Sequence, residues 1–203
     1  MTGAADRPND PLAERVVESR VIHEGKYLTF RIDTIERADG SRATREIAGH
    51  PGAVAIVAVD DEDRVLLVRQ WRLPAGGATL EIPAGTLEYV DRARDIVEDH
   101  GRAAKRELEE ETGYRAGAWR LLGSFWTAPG FATELMHLYL ATELRPADDD
   151  ADKLGPDEDE HLELERMPWR EAVAAATDGR IRDAKSIVGL FWLARIREAA
   201  SRS

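Results

Sequence analysis

The most constraining feature of the chain is a short acidic run from Arg106 to Gly113, which reads Arg-Glu-Leu-Glu-Glu-Glu-Thr-Gly. On a helix, Glu107, Glu110 and Glu111 would share one face, whereas Glu109 would point away from it. Like charges on one helical face repel each other by about 0.2–0.5 kcal/mol per pair. The run therefore predicts a helix with a positive partner on its acidic face.

Two kinds of positive partner fit this face. Several carboxylate oxygens without Cys or His suit Mg²⁺, with Mn²⁺ as the alternative, better than they suit zinc. The other interpretation is a solvated acidic face that an ion pair between Arg106 and Glu110 holds together, because charge runs on helices are often solvated surface. The helix by itself leaves both interpretations open.

The sequence before the run favours the metal interpretation. Seven residues separate Glu98 from Arg106, and Gly85 ends a Glu-Ile-Pro-Ala-Gly segment at residues 81–85. Here the chain resembles the Nudix hydrolases, whose signature is Gly, five residues, Glu, seven residues and Arg-Glu-apolar-any-Glu-Glu-any-Gly-apolar, and residues 106–114 match its second half. In this chain, twelve residues separate Gly85 from Glu98, seven more than the signature has.

The register of the signature has one alternative. With Asp91 in place of Glu98, the distance from Gly85 is conserved but the distance to Arg106 is not, so Glu98 is preferred. The additional residues fall at about 88–97 and include neither Gly nor Pro, which predicts one or two extra helical turns. The insertion is interpreted as a spacer, or alternatively as a loop over the pyrophosphate site that narrows the substrate range.

The resemblance extends from about Val16 to Arg197 and is closest to the ADP-ribose pyrophosphatase branch. It is carried by segments at 69–72 (Arg-Gln-Trp-Arg), 81–85, 128–130 (Ala-Pro-Gly), 157–160 (Asp-Glu-Asp-Glu) and 183–186 (Asp-Ala-Lys-Ser). It implies an α+β fold, namely an α/β/α sandwich with a mixed sheet plus an N-terminal antiparallel strand unit. It also implies hydrolysis of ADP-ribose to AMP and ribose 5-phosphate by a homodimer that exchanges N-terminal strands.

The resemblance assigns roles to individual residues as well. The metal ligands would be the Ala84 carbonyl, Glu107, Glu110, Glu111 and Glu160, and the catalytic group would comprise Glu111, Glu158 and Glu160. Which of Glu158 and Glu160 acts as the general base stays open. Structural roles within the signature would fall to Gly85, Glu98, Arg106 and Gly113.

Substrate contacts are predicted from residue chemistry. Arg45 and Arg72 suit phosphate or ribose oxygens, and Glu81 or Glu134 would accept hydrogen bonds from ribose hydroxyls. Adenine requires an aromatic or guanidinium face. Phe30 and Trp71 could supply that face, although aromatic residues in strands often belong to the core.

Composition excludes several classes of protein. The 203 residues include no cysteine, which rules out disulfides and thiolate metal sites. The net charge of −11 argues against nucleic acid as a partner. No apolar run reaches the roughly eighteen residues of a membrane helix, and the N-terminus lacks the apolar core of a signal peptide, so the default expectation is a cytoplasmic protein without a membrane partner.

The expected organisation is a disordered tail at 1–15, a strand unit at 16–47 and a hydrolase domain at 48–203. A turn at 38–41 predicts a hairpin, and the apolar runs 53–59 and 65–68 predict two adjacent buried strands. Further strands are expected at 119–127, 136–141 and, at a sheet edge, 162–167. Helices are expected at 169–177 and 184–199, the second with an apolar stripe that favours the core over a partner surface.

Three functions remain compatible with the sequence. The first is a Mg²⁺-dependent ADP-ribose pyrophosphatase, and the second is a Nudix hydrolase for GDP-mannose, NADH or a dinucleotide. The third is a catalytically silent sensor of nucleotide sugars. Intact Glu107, Glu110 and Glu111 argue against the silent sensor.

Overall fold

The computed structural model describes residues 10–147 and 161–201. These residues form two compact units, one containing residues 10–50 and 128–134 and the other containing residues 51–127, 135–147 and 161–201. Most of the tail predicted at 1–15 lies outside the described residues, although the first strand already begins at Glu14.

The first unit is an antiparallel sheet of β1 (Glu14–Glu24), β2 (Thr29–Arg37) and β3 (Arg42–Gly49) in that order. The predicted hairpin is confirmed, because β2 pairs with β3 across the turn at residues 38–41. Gly40 adopts φ +80° there, a left-handed conformation that glycine reaches without strain. Nearly every residue of β1 is exposed.

The described part of the second unit contains nine strands and three helices. The strands are β4 (Ala53–Ala58), β5 (Arg64–Arg72), β6 (Gly77–Glu81), β7 (Ala84–Thr86), β8 (Tyr89–Asp91), β9 (Ile96–Val97), β10 (Tyr114–Trp126), β11 (Leu135–Pro146) and β12 (Leu162–Pro168). The helices are α1 (His100–Thr112), α2 (Trp169–Asp178) and α3 (Ala184–Ala200).

Two sheets form the middle layer of this unit. One has the order β10-β11-β4-β7 and is mixed, since β11 runs parallel to β4 while the other pairs are antiparallel. The other is antiparallel, with the order β12-β5-β6. The predicted edge strand at 162–167 is confirmed as β12.

Strand β4 is covered by helices on both faces of the mixed sheet. Val54 and Ile56 pack with α1 around Leu108, whereas Val57 packs with Leu190 of α3 on the opposite face. A strand that is buried on both sides reads as a continuous apolar run rather than an alternating one. The predicted α/β/α sandwich is confirmed by this layering.

The prediction that residues 53–59 and 65–68 form two adjacent buried strands is confirmed. An isolated antiparallel bridge between Val59 and Val65 joins the two strands. Apart from this bridge, they belong to different sheets. Strand β4 pairs with β11 and β7, whereas β5 pairs with β12 and β6.

The insertion contains one short helical turn, as predicted, but is otherwise a hairpin. Residues 89–97 form the hairpin β8–β9 around a single 3₁₀ turn at Arg92–Arg94. The Asp91 side chain accepts a hydrogen bond from the Arg94 N–H, and Asp95 at φ 55° ends the turn at once. β-Branched Val90, Ile96 and Val97 favour the strands on either side.

The predicted C-terminal helices are confirmed. Gly179 in the left-handed region ends α2, and the Asp183 side chain caps the N-terminus of α3 by accepting from the Ser186 N–H. Leu190 and Leu193 of α3 are buried in the core, which supports the core interpretation of the stripe. Across the described residues, no helix has both the length and the apolar character that a bilayer crossing needs.

Candidate active site

Residues Ala84 and Gly85 lie where β7 meets α1. Strand β4 fixes the backbone here, because Ala84 pairs with Ala55 and the Pro83 carbonyl accepts from the Ile56 N–H at 2.8 Å. The Ala84 N–H donates to Glu111 Oε2 at 2.9 Å. At Gly85, a Cβ atom would lie 1.9 Å from Glu107 Cδ, so the Glu107 carboxylate occupies the space that glycine leaves.

Arg106 joins the remaining carboxylates of the signature. Its Nη1 lies 2.8 Å from both Glu107 Oε1 and Glu110 Oε2, and its Nη2 lies 2.7 Å from Glu98 Oε1. Burial lowers the pKa of Arg106, but its three carboxylate neighbours outweigh burial and raise it above its ordinary value. We refer to Glu98, Arg106, Glu107, Glu110 and Glu111 as the signature cluster.

The inserted hairpin begins and ends at the signature cluster. The Glu88 N–H donates to Glu98 Oε1 at 3.0 Å, and the Glu98 N–H donates to the Glu88 carbonyl at 2.9 Å. The Glu98 carboxylate therefore closes the base of the hairpin and also forms the ion pair with Arg106. The insertion lengthens the signature without separating Glu98 from Arg106.

The acidic face of α1 is not a solvated surface. Glu107 and Glu111 are only 9% and 8% exposed, although Arg106 and Glu110 form the ion pair that the solvated interpretation invokes. Glu109 points to other partners, as expected, and its carboxylate pairs with both Nε and Nη2 of Arg115 at 2.7 and 2.6 Å. The four carboxylates of the signature cluster outnumber its one guanidinium, and Arg72 is a further cation near Glu111.

The donor set of the signature cluster fits a hard divalent cation. It offers carboxylate oxygens and a nearby backbone carbonyl, and glycine makes room for one of the carboxylates. Among residues 10–147 and 161–201, no group of three or more Asp, Glu, His or Cys side chains is already arranged to hold a metal ion. The hydrogen bonds explain this, because Arg106 holds Glu107 and Glu110 while the Ala84 N–H holds Glu111.

A second group of charges lies at Glu81, just before the Ala84 loop. Glu81 accepts from Arg72 Nε at 2.9 Å, Arg72 Nη2 at 2.8 Å, Thr79 Oγ1 at 2.5 Å and Lys185 Nζ. Burial raises the pKa of Glu81, but Arg72 and Lys185 outweigh burial and bring it to about 2. We refer to Arg72, Glu81, Asp183 and Lys185 as the Glu81 cluster.

The predicted contact of Glu81 with ribose hydroxyls is not supported. The residue is only 2% exposed, and its oxygens already accept from three side chains. Arg72 is different, because 43% of its side chain is exposed while one edge of its guanidinium pairs with Glu81. The nearby carboxylates of Glu81, Glu111 and Asp183 raise its pKa against the effect of burial.

The other predicted substrate contacts do not all fall in one unit. Arg45, Phe30 and Glu134 belong to the first unit, where Arg45 pairs with Glu14 and Glu134 lies 3.7 Å from His50. Trp71 belongs to the second unit, is 66% exposed and lines an open groove of about 490 Å³. Phe30 is also partly exposed, so neither aromatic residue is part of the core.

Two predicted residues, Glu158 and Glu160, lie outside the described residues, and their roles stay predictions. Sequence reasoning missed Lys185, which lies within the Asp-Ala-Lys-Ser segment that contributed to the family resemblance. The available signal was an N-cap aspartate followed closely by a lysine at the start of an apolar helix. Its partner Glu81 is 104 residues away in sequence, so no local pattern connects the two.

Comparisons with known proteins match most of the chain. A family model described as "NUDIX domain" matches residues 49–188. The chain is 38% identical to a methanol dehydrogenase activator of Bacillus methanolicus over 92% of this chain and 95% of the relative. It is 36% identical to an ADP-ribose pyrophosphatase of Bacillus subtilis (strain 168) over 93% of this chain and 96% of the relative.

A solved structure described as "Crystal structure of ADP compounds hydrolase" has a similar fold. The TM-score is 0.77, and the match covers 96% of this chain and 100% of that one. Sequence identity is 22%, so this likeness bears on the fold alone.

Proposed function

Because the chain belongs to the NUDIX family, we propose that it is a Mg²⁺-dependent hydrolase that cleaves the pyrophosphate of ADP-ribose to AMP and ribose 5-phosphate. The relative from Bacillus subtilis that bears the name ADP-ribose pyrophosphatase supports this substrate, since the two chains match over nearly their whole lengths. The observation that carries the proposal is the contact of two buried carboxylates, Glu107 and Glu111, with residues 84–85.

The metal would be held by Glu107, Glu111 and the Ala84 carbonyl, with Glu110 as a further ligand. A divalent cation at such a site neutralises the pyrophosphate charge and lowers the pKa of a water molecule. The protein's own contribution is to hold its ligands in place. Arg106 fixes Glu107 and Glu110, Glu98 fixes Arg106, and β4 fixes the backbone of Ala84.

Substrate recognition would use Arg72 at the phosphates. Its guanidinium is partly exposed, and one edge is oriented by Glu81. The general base would come from Glu158 or Glu160, with the other as an additional metal ligand, as the family resemblance implies. Arg45, Phe30, Trp71 and Glu134 remain candidates for contacts with ribose or adenine.

We further propose a cytoplasmic homodimer that exchanges its N-terminal strands. The support for the dimer is β1, which forms the edge of the first unit's sheet and exposes Val16, Val21 and Ile22. An exposed apolar edge strand is a surface that a second chain can cover. Sedimentation measurements of the purified protein should give twice the 22.6 kDa mass of one chain, and a monomer at micromolar concentration would contradict the dimer.

The function is tested by turnover of a nucleotide panel with Mg²⁺ and chromatographic identification of the products. ADP-ribose should give AMP and ribose 5-phosphate, with a kcat/KM about tenfold or more above that for GDP-mannose and NADH. Better turnover of GDP-mannose, NADH or a dinucleotide would favour the second candidate function. Binding without turnover of any compound would identify a silent sensor and contradict both enzymatic functions.

A further inference from the structure

A buried lysine lies behind the arginine that would contact the phosphates. We propose that Lys185 is a positioning residue, which acts through Glu81 to hold the Arg72 guanidinium ready for the pyrophosphate of the substrate. This inference rests on the proposed function and adds a residue of α3 to the machinery of substrate binding.

The position of Lys185 is fixed by the start of α3. Its ammonium group contacts Glu81 Oε2 and lies 3.0 Å from Asp183 Oδ2, and the residue is 9% exposed. Asp183 is itself fixed, because its Oδ2 accepts from the Ser186 N–H at 3.0 Å and from Ser186 Oγ at 2.6 Å. The ammonium group therefore belongs to a rigid helix terminus rather than to a mobile surface side chain.

The same helix terminus also holds the chain next to Glu81. Ser186 Oγ accepts from the Ile82 N–H at 2.8 Å, and both groups are buried. Glu81 is thus fixed at its carboxylate by Lys185 and at its following peptide by Ser186. Its two oxygens then form a planar acceptor whose orientation is set by residues more than a hundred positions away in sequence.

Arg72 takes its orientation from this acceptor. Its Nε and Nη2 donate to the two oxygens of Glu81, a geometry that fixes the plane of the guanidinium. The other guanidinium N–H groups lie outside this pair, on a side chain that is 43% exposed. A planar fork held in this way can bind a phosphate in a bidentate manner with little loss of rotamer freedom.

Lys185 also neutralises part of the negative charge around Arg72. The Glu81 cluster contains two carboxylates and two cations, and Lys185 lies between both carboxylates. Without the ammonium group, Arg72 would be the cation that balances both Glu81 and Asp183, and less of its positive charge would act on the substrate. Lys185 therefore leaves Arg72 able to attract an anion.

The test compares Lys185→Gln with the wild-type protein, because glutamine keeps an N–H donor, on a side chain one bond shorter, and removes the charge. We expect the KM for ADP-ribose to rise about tenfold, with kcat changed less than about threefold. The Mg²⁺ concentration that gives half-maximal activity should not change. Lys105→Gln, at an exposed position on α1, is the matched control and should keep KM within about twofold of the wild-type value.

A double-mutant cycle separates positioning from a merely structural role. If Lys185 acts through Arg72, then adding Lys185→Gln to Arg72→Gln should change KM less than about twofold. Lys185→Arg retains the cation and should recover most of the wild-type KM. Circular dichroism and thermal unfolding of each variant confirm that the compared proteins are folded.

Three results would overturn the inference. The first is that Lys185→Gln raises KM by the same factor in the wild-type protein and in Arg72→Gln. The second is that Lys185→Gln lowers kcat and leaves KM unchanged. The third is that Lys185→Arg has a KM as high as that of Lys185→Gln. Failure of the proposed function is seen separately, in the wild-type protein. If that protein turns over no nucleoside diphosphate, the function is wrong and the role of Lys185 is wrong with it.

Discussion

The signature cluster and the Glu81 cluster lie close together in sequence but differ in charge balance. The signature cluster places Glu98, Glu107 and Glu110 around Arg106 and adds Glu111 next to them. The Glu81 cluster instead matches two carboxylates with two cations. Buried charges are stable only when they are paired or coordinate a metal.

This difference in charge balance indicates different roles for the two clusters. A balanced buried cluster needs nothing further, so the Glu81 cluster is interpreted as the support that orients Arg72 and the Ala84 loop. An unbalanced acidic cluster is stabilised by an added cation, so the signature cluster is where a divalent metal would bind. Mutations in the signature cluster should therefore lower kcat, whereas mutations in the Glu81 cluster should lower stability or raise KM.

The largest expected effect is on activity, for Glu111→Gln in the signature cluster. We expect kcat for ADP-ribose to fall at least about a hundredfold, because a metal ligand loses its charge. The amide oxygen can still accept from the Ala84 N–H, so the fold should persist. Steady-state kinetics and thermal unfolding measure the two quantities, and near-normal kcat would overturn the assignment of Glu111 as a metal ligand.

Glu109→Gln is the matched control for that prediction. Glu109 is on the same helix and equally buried, at 7% exposure, but it pairs with Arg115 rather than with the signature cluster. Its loss should lower stability and leave kcat per folded molecule within about threefold of the wild-type value. A variant that loses activity but not stability would show that Glu109 belongs functionally with its neighbours.

The second prediction concerns stability and pH, for Glu81→Gln. The pKa of Glu81 is about 2 in the folded protein, against an ordinary value of 4.5, because Arg72 and Lys185 outweigh the effect of burial. A lowered pKa means that the charged form stabilises the fold above about pH 4.5. That contribution is then lost as pH falls toward 2.

Denaturant unfolding across pH measures this contribution. At pH 7, Glu81→Gln should lower the free energy of unfolding by on the order of 3 kcal/mol relative to the wild-type protein. The difference between the two proteins should shrink as pH falls from about 4.5 toward 2. A difference that stays constant over this range would show that the Glu81 cluster does not stabilise the protein through its charge.

Local patterns in the sequence predicted the elements that local forces determine. The turn around Gly40, the N-cap at Asp183 and the alternation of residues 162–167 each indicated one element, and each element is present. The spacing between Glu98 and Arg106 likewise placed the two side chains in one group, and the structure joins them at 2.7 Å. Helical geometry and capping chemistry were sufficient for these predictions.

Partners that are distant in sequence could not be predicted. Lys185 meets Glu81 because α3 packs against the sheet, and only the complete fold brings those two elements together. The division of β4 and β5 between different sheets similarly involves their pairing with β11, β7, β12 and β6, which lie elsewhere in the sequence. The insertion is mostly a hairpin for a local reason, because its β-branched residues favour strands and a lack of Gly and Pro does not by itself produce a helix.

The smallest expected effect is for Gly85→Ala, which tests whether the signature cluster depends on the position of one carboxylate. A Cβ at residue 85 would lie within 2.3 Å of Glu107 Cδ, Oε1 and Oε2. The end of a flexible side chain can move away at little cost to the fold, but Glu107 would then leave its place beside Ala84. We expect kcat to fall about tenfold and the Mg²⁺ requirement to rise, with little change in thermal stability.

Gly77→Ala is the control for this last prediction, because no heavy atom among the described residues lies within 4 Å of its Cβ position. Kinetics at several Mg²⁺ concentrations compare the two alanine variants under the same conditions. If Gly85→Ala is as active as Gly77→Ala at every concentration, the place that Glu107 occupies in the structure is not the place where it binds metal. If activity returns only at high Mg²⁺, the glycine serves to position a ligand, and the negative excess of the signature cluster is useful only while that ligand stays in place.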